Sequence, residues 1–355
     1  MVVHLPLRYC LGPVNSSMIS ARLNRTQPAP IVGSLAEGSD GAPDGRCSGP
    51  PIVFACDGVY AMQLATALRS VTEANQNRWP LDIHVLADEF SDDARRKIVR
   101  SLPPKSAFIR WVAADLEPFR KFATLEYISK ITFARLLIPR LFPETVSRVL
   151  YLDADLLVLD DLGPLWEADL EGAVVGAVLD GLDPHLKNGA PGLEQMPHVC
   201  AYFNAGVLLI DLPRWRKERI SERTLDYLAR HPLSPFSDQD ALNVACDGLW
   251  KRLDPRWNFQ NHYETSISDM GPMEKPAVVH FVTSLKPWKP SSVSVNASLY
   301  DAFRSRTCFA RTRRDLLSDA VQTTWCRLKR RLRQFPGVRT IRGGVERDVR
   351  MSARE

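Results

Sequence analysis

No stretch of about 18 consecutive apolar residues occurs in this 355-residue chain, so no membrane-spanning helix is expected. The opening segment, Met1 to Leu11, is too short for the apolar core of a secretion signal, and Pro6 and Arg8 interrupt it. The seven cysteines are odd in number and widely spaced, with no Cys-x-x-Cys pair. That argues against a disulfide scaffold or a structural zinc site and favours a reducing, cytoplasmic compartment. G-x-G-x-x-G, the phosphate-loop lysine motif and G-x-S-x-G are also missing, which removes the usual dinucleotide, kinase-type and serine-hydrolase signatures. No internal repeat is visible.

What is present is ordinary globular material, 45% hydrophobic and 25% charged, enough for a full-sized core. The net charge of +5 is unevenly placed. Residues 300–355 carry 15 Lys and Arg against 6 Asp and Glu, whereas residues 1–299 carry 31 against 35. The basic character therefore belongs to the tail. Residues 1–50, rich in Gly, Pro, Ser and Ala, read as a disordered extension. Residues 51–300 read as one α/β domain and residues 301–355 as a basic tail.

The domain is organised around Val149-Leu150-Tyr151-Leu152-Asp153-Ala154-Asp155, an apolar strand running into two acids separated by one small residue. Two carboxylates so close repel each other, and a divalent cation relieves that repulsion. The plainer reading is a strand followed by an acidic turn. Upstream, Ile52–Asp57 is a short strand ending in an acid. A helix over Tyr60 to Ala74, a strand over Asp82–Leu86, a helix capped by Ser91 and a strand over Phe108–Val112 follow. This alternation predicts a mainly parallel sheet whose ligands bind beyond the strands' carboxyl ends.

Other stretches carry candidate chemistry. A helix over Ile131–Ile138, ending near Pro139, holds one cation, Arg135, which either snorkels or faces a phosphate. Residues 173–180 form an apolar run ending at Asp180, and a loop is expected over 181–199. In the strand Tyr202 to Leu212, Asn204-Ala205-Gly206 predicts a close backbone approach. Pro213 to Arg230 reads as one helix. Ser237 or Asp238 would cap a helix over Ala241–Cys246. Ala277 to Val282 is an apolar strand containing one His, ordinarily a satisfied core residue. From Leu316 to Leu332 a basic amphipathic helix with Trp325 either lies on a membrane surface or packs on the domain. No nucleic-acid partner is expected from it.

Together the blocks IVFACD (52–57), TFARL (132–136), VLYLDADLLV (149–158), YFNAGVLLIDL (202–212), SDQDALN (237–243) and VVHF…KPW (278–288) resemble the family 8 glycosyltransferases, the glycogenin and bacterial lipopolysaccharide galactosyl/glucosyltransferase group. The resemblance implies a GT-A, Rossmann-like fold and retaining transfer of a hexose from a UDP-sugar to a glycan or lipid-linked acceptor. It implies that Asp153, Asp155 and His280 hold Mn²⁺, or Mg²⁺ in its place. Lys286 would meet the phosphates, and Ala55 and Asp57 the uridine. Arg135, Asp180, Asn204, Asp238 and Gln239 would surround the donor sugar, with Gln239 on its reacting face. Gly58-Val59 replaces a more polar pair common after the first acid, and the 280–286 loop lacks the family's glycine. Two other readings stand beside it. An Asp-x-Asp phosphatase would need the acids on the first strand with Ser or Thr following. A sugar-nucleotide-binding protein without turnover is the second.

Overall fold

The computed structural model describes residues 32–35, 49–120, 122, 129–189, 193–261, 267, 270, 271, 275–282, 286–289, 294–318, 321 and 324. Within the first 50 residues, Val32–Leu35 form a strand (β1) paired antiparallel with Phe108–Trp111, an addition that their composition did not predict. The strands that follow are β2 (Ile52–Asp57), β3 (Leu81–Asp88), β4 (Ala107–Ala113), β5 (Arg148–Leu152), β6 (Leu156–Val158) and β7 (Val175–Leu179). Then come β8 (Phe203–Asp211), β9 (Trp250–Arg252), β10 (Phe259–Gln260) and β11 (Val278–His280).

Eight strands form one mixed sheet in the order β1-β4-β3-β2-β5-β8-β7-β9. From β4 through β5 the pairs are parallel, as strands joined by crossover helices must be. The chain moves outward from β2 to β4 and then returns to the other side of β2 as β5. The order therefore reverses between β2 and β5, where an open α/β sheet leaves a crevice. Both strands are buried on two faces, which explains their unbroken apolar runs. Alternation sends Ile52, Phe54, Leu150 and Leu152 into one core layer, and Val53, Ala55, Val149 and Tyr151 into the other.

The antiparallel strand β8 and the small second sheet carry the site. Strand β8 runs antiparallel to both β5 and β7, so its amino end lies beside their carboxyl ends. A small second sheet, β10-β11-β6, pairs His280 with Leu156, immediately after Asp155.

Several local expectations are corrected. Residues 130–137 form a 3-10 helix, and Pro139 opens the short helix Ile138–Leu141 rather than ending one. The expected 213–230 helix is two, Leu212–Lys217 and Ile220–Arg230. Left-handed Arg219 (φ 53°) breaks it, so that Trp215 and Leu225 can enter the same core layer. A short helix, Asp183–Lys187, lies within the expected 181–199 loop. Packing continues past residue 300: Arg306 pairs with Glu73 at 2.7 Å and the Cys308 N–H donates to Ser101 Oγ. Beyond, residues 313–318 are helical and opened by a Thr312–Asp315 capping box. Leu316, Leu317 and Val321 are exposed there, so this part does not pack on the domain. Most of the 316–332 helix, including Trp325, lies outside the described residues, as does the 283–285 loop.

Candidate active site

Asp153 leaves the end of β5 held by its backbone, whose N–H donates to the Gly206 carbonyl on β8 at 2.8 Å. Two residues on, the Asp155 carbonyl accepts the Phe281 N–H just after β11. These two bonds bring acids from one segment and a histidine from 125 residues away into one cluster. His280 Nε2 lies 3.0 Å from Asp155 Oδ1 and 3.7 Å from Asp153 Oδ2. The His280 side chain is 5% exposed, whereas those of Asp153 and Asp155 are 23% and 17% exposed, so the cluster opens on its carboxylate side.

The three residues offer ligand atoms within 4.8 Å of one another. One cation bonded at about 2.0–2.6 Å to each fits that spread. Two carboxylates and an imidazole suit Mn²⁺ and related hard-to-borderline ions. Gly206 supplies an independent mark of the close approach predicted from Asn204-Ala205-Gly206. A Cβ at this position would sit 2.1 Å from His280 Cε1 and 2.9 Å from Asp153 Oδ2. The chain keeps this space free by having no side chain.

Lys286 donates to Asp155 Oδ2 at 2.6 Å and to the Phe281 carbonyl. Burial alone would raise the Asp155 carboxyl. The Lys286 ammonium and the His280 ring outweigh it and hold that carboxyl well below the usual carboxylate range. Near Lys286 is the Trp288 ring, edge-on to Tyr60 at 5.9 Å.

Arg135 is neither snorkelling nor exposed. Its 3-10 setting is the reason, because residues i and i+3 eclipse at three residues per turn. Thr132 and Arg135 thus reach the same acid: Thr132 Oγ1 donates to Asp238 Oδ1 at 3.1 Å, and Arg135 Nε lies 3.0 Å from Oδ2. That Nε–H points at the Thr132 carbonyl, leaving buried Asp238 Oδ2 without a directed hydrogen bond. Arg135 Nη2 donates to Asp153 Oδ1 at 3.3 Å, Nη1 donates to the Ala205 carbonyl, and the guanidinium lies 4.6 Å from the Tyr151 ring centre. Burial raises the Asp238 carboxyl above its ordinary range despite Arg135. Ser237 takes the N-cap position of the helix Asp238–Ala245, which begins three residues before the expected Ala241, but no side-chain cap bond forms there, and the Asp238 carboxylate serves Thr132 and Arg135 instead.

The remaining expected residues fall into two groups. Gln239, Asp180 and Asn204 form one network: Gln239 Nε2 donates to Asp180 Oδ2 at 3.1 Å, its Oε1 accepts the Ala205 N–H, and Asn204 Nδ2 donates to Asp180 Oδ2 at 2.9 Å. Ala55 and Asp57 stand at the end of β2. Asp57 Oδ1 accepts the Val59 and Tyr60 N–H groups and Oδ2 accepts the Ser129 hydroxyl, so this carboxylate shapes its own loop. Gly58 fits there because a Cβ would meet the Glu89 carbonyl oxygen at 2.4 Å, while Val59 is exposed.

Sequence reasoning missed four partners. Tyr151 donates to Asp153 Oδ1 at 2.6 Å, Tyr202 to Asp240 Oδ1, Gln239 to Tyr202 Oη, and Asn258 contacts His280. Only Tyr151 left a signal: as i−2 of Asp153 on a strand it shares that residue's face.

Against known proteins, the family model "Glycosyl transferase family 8" matches residues 51–291. General stress protein A of Bacillus subtilis is 29% identical over 257 residues, covering 68% of this chain and 88% of its own length. Lipopolysaccharide 1,2-glucosyltransferase of Escherichia coli is 23% identical over 257 residues, covering 70% and 75%. Among solved structures, galactosyltransferase LgtC in complex with donor and acceptor sugar analogues superposes with a TM-score of 0.63 at 28% identity. That match covers 72% of this chain and 96% of the other.

Proposed function

We propose that this chain, which belongs to glycosyl transferase family 8 and has its GT-A fold, transfers galactose or glucose from a UDP-sugar to a glycan or glycolipid acceptor with retention of configuration. The observation that carries the reading is the Asp153–Asp155–His280 cluster at the β2/β5 switch, with Lys286 beside it and a buried polar network next to it.

Asp153, Asp155 and His280 hold Mn²⁺, or Mg²⁺ in its place. The ion, when bound, supplies Lewis-acid charge to the donor diphosphate. Lys286 turns its ammonium from Asp155 to the phosphates and stabilises negative charge on departing UDP. Ala55 and Asp57 border the uridine, and the Asp57-shaped loop sets the backbone it meets. Arg135, Asp180, Asn204 and Asp238 orient the hexose. Gln239 is fixed through both ends of its amide on the reacting face of the sugar. A neutral amide is a poor nucleophile. Gln239 therefore orients and polarises, and the acceptor hydroxyl attacks from the face that UDP leaves.

Incubation with radiolabelled UDP-galactose and UDP-glucose tests this, with UDP release followed with and without Mn²⁺. Metal-dependent release from at least one donor is expected. UDP binding without release from either sugar would leave a sugar-nucleotide-binding protein, and phosphate release from simple monoesters would favour the phosphatase reading.

The tail adds a location, peripheral on the cytoplasmic face of the inner membrane. Leu316, Leu317 and Val321 are exposed beyond a segment that packs, and among the described residues no helix is long and apolar enough to cross a membrane. The sequence from Arg327 to Arg333 supplies five cations, each worth about 1 kcal/mol near an anionic surface. Truncation after Arg311 is expected to keep soluble donor turnover and to lose co-sedimentation with phosphatidylglycerol vesicles at low salt. Full-length protein that fails to co-sediment would overturn the membrane reading.

A further inference from the structure

A buried chain of hydrogen bonds joins the metal cluster to the sugar-facing residues, and its polarity can be read from one end. Asp180 is a carboxylate and only accepts. Asn204 must therefore present its Nδ2 to Asp180 Oδ2 (2.9 Å), which turns its Oδ1 the other way. That oxygen accepts from Asn258 Nδ2 at 2.9 Å, so Asn258 in turn aims Oδ1 outward, 3.0 Å from His280 Nδ1. His280 Nδ1 is then the hydrogen-bearing nitrogen, and Nε2 is left facing Asp155 and Asp153 as the ligating one. Asp180 also accepts from Gln239, so the chain ends on the reacting face. Asn258 is 1% exposed and closes the 3-10 turn Pro255–Asn258, where no capping or turn role requires its amide.

We propose that Asn258 is a positioning residue that sets the metal ligand His280 and the sugar-facing Asn204 with one side chain. The inference rests on the functional reading above. One arm accepts from the imidazole and fixes its tautomer and tilt. The other donates to Asn204 and holds that side chain against Asp180. Metal affinity and recognition of the hexose are thereby tied to a residue that touches neither ligand.

The two arms separate by mutation. Asn258→Ala removes both. Asn258→Asp keeps an acceptor for His280 but opposes an acceptor to Asn204 Oδ1. Asn204→Ala cuts the second arm from its other end and guards against a folding failure of the buried carboxylate. Mn²⁺ affinity is read by electron paramagnetic resonance without donor. Hexose recognition is read as the ratio of the UDP and UDP-hexose dissociation constants, and folding by thermal melting. Asn258→Ala should weaken Mn²⁺ binding by about 10-fold or more and also lower the hexose ratio. Asn258→Asp and Asn204→Ala should lose about 10-fold in the hexose ratio yet keep Mn²⁺ affinity within about threefold of wild type. Wild-type Mn²⁺ affinity in Asn258→Ala overturns the proposal. So does equal loss of both quantities in all three variants, the pattern of a residue that is merely structural. A wild-type protein that binds no Mn²⁺ overturns the metal site itself, a result distinct from either.

Discussion

Asp155→Asn should bring Mn²⁺-dependent UDP release down by about 100-fold or more, since it removes a charged ligand directly, where loss of a mere outer partner already costs about 10–100-fold. Asp153→Asn should act in the same direction. Asp155 has a second duty as the carboxylate partner of Lys286. Its loss leaves the nearly buried Lys286 ammonium without its carboxylate partner, and metal-free stability should fall by about 2–3 kcal/mol at neutral pH. The pH dependence gives the sign. A carboxyl held low in the folded state contributes stability that is fully present above the unfolded value, near about 4, and is lost as pH falls through the lower folded value. Asp155→Asn should therefore flatten the acid limb of the stability profile. Metal titration, turnover and acid melts on one variant read all three effects. Wild-type turnover at limiting Mn²⁺ would show that Asp155 binds no ion.

Gly206→Ala adds one methyl group and should be nearly as damaging. The added carbon would lie 2.1 Å from His280 Cε1 and 2.6 Å from Nδ1, inside any allowed contact. His280, at the end of β11, is buried and held by Asn258 and Asp155, so it cannot retreat without breaking the Asn258 bond or leaving Asp155. Overpacking of this kind costs about 1–3 kcal/mol in stability. The displaced ligand should cost turnover on the order of 100-fold, given that a misplacement of about 1 Å has that effect. A melting curve and Mn²⁺ titration check it. Wild-type metal affinity in the Gly206→Ala variant would mean that the imidazole does not ligate from its observed position.

The two variants also show why the site is only partly legible in one dimension. Asp153 and Asp155 can be found from sequence because the cue is local: an apolar run ends and two like charges follow with no nearby cation. Asn204-Ala205-Gly206 announces a close approach through small residues inside a strand. It does not say what approaches, because the answer, His280, lies 74 residues on from Gly206. Arg135 defeats a helical reading altogether. In an α-helix Thr132 and Arg135 would diverge by about 60°, whereas the 3-10 turn stacks them on Asp238.

By itself the sequence determined the alternation of buried strands and helices, the paired acids at a strand end, and the separation of a near-neutral domain from a basic tail. These follow from periodicity and charge, which act between neighbours in the chain. The tertiary structure decided which distant pieces share the site. The antiparallel entry of β8 beside β5 brings Gly206 to Asp153, and the pairing of β11 with β6 brings His280 to Asp155. It also decided the roles of Asn258 and Tyr202, whose polar atoms acquire partners only when strands and turns far apart in sequence are packed together. The physical reason is that a buried donor or acceptor must be satisfied wherever the fold puts it, and the fold, not the local sequence, chooses its partner.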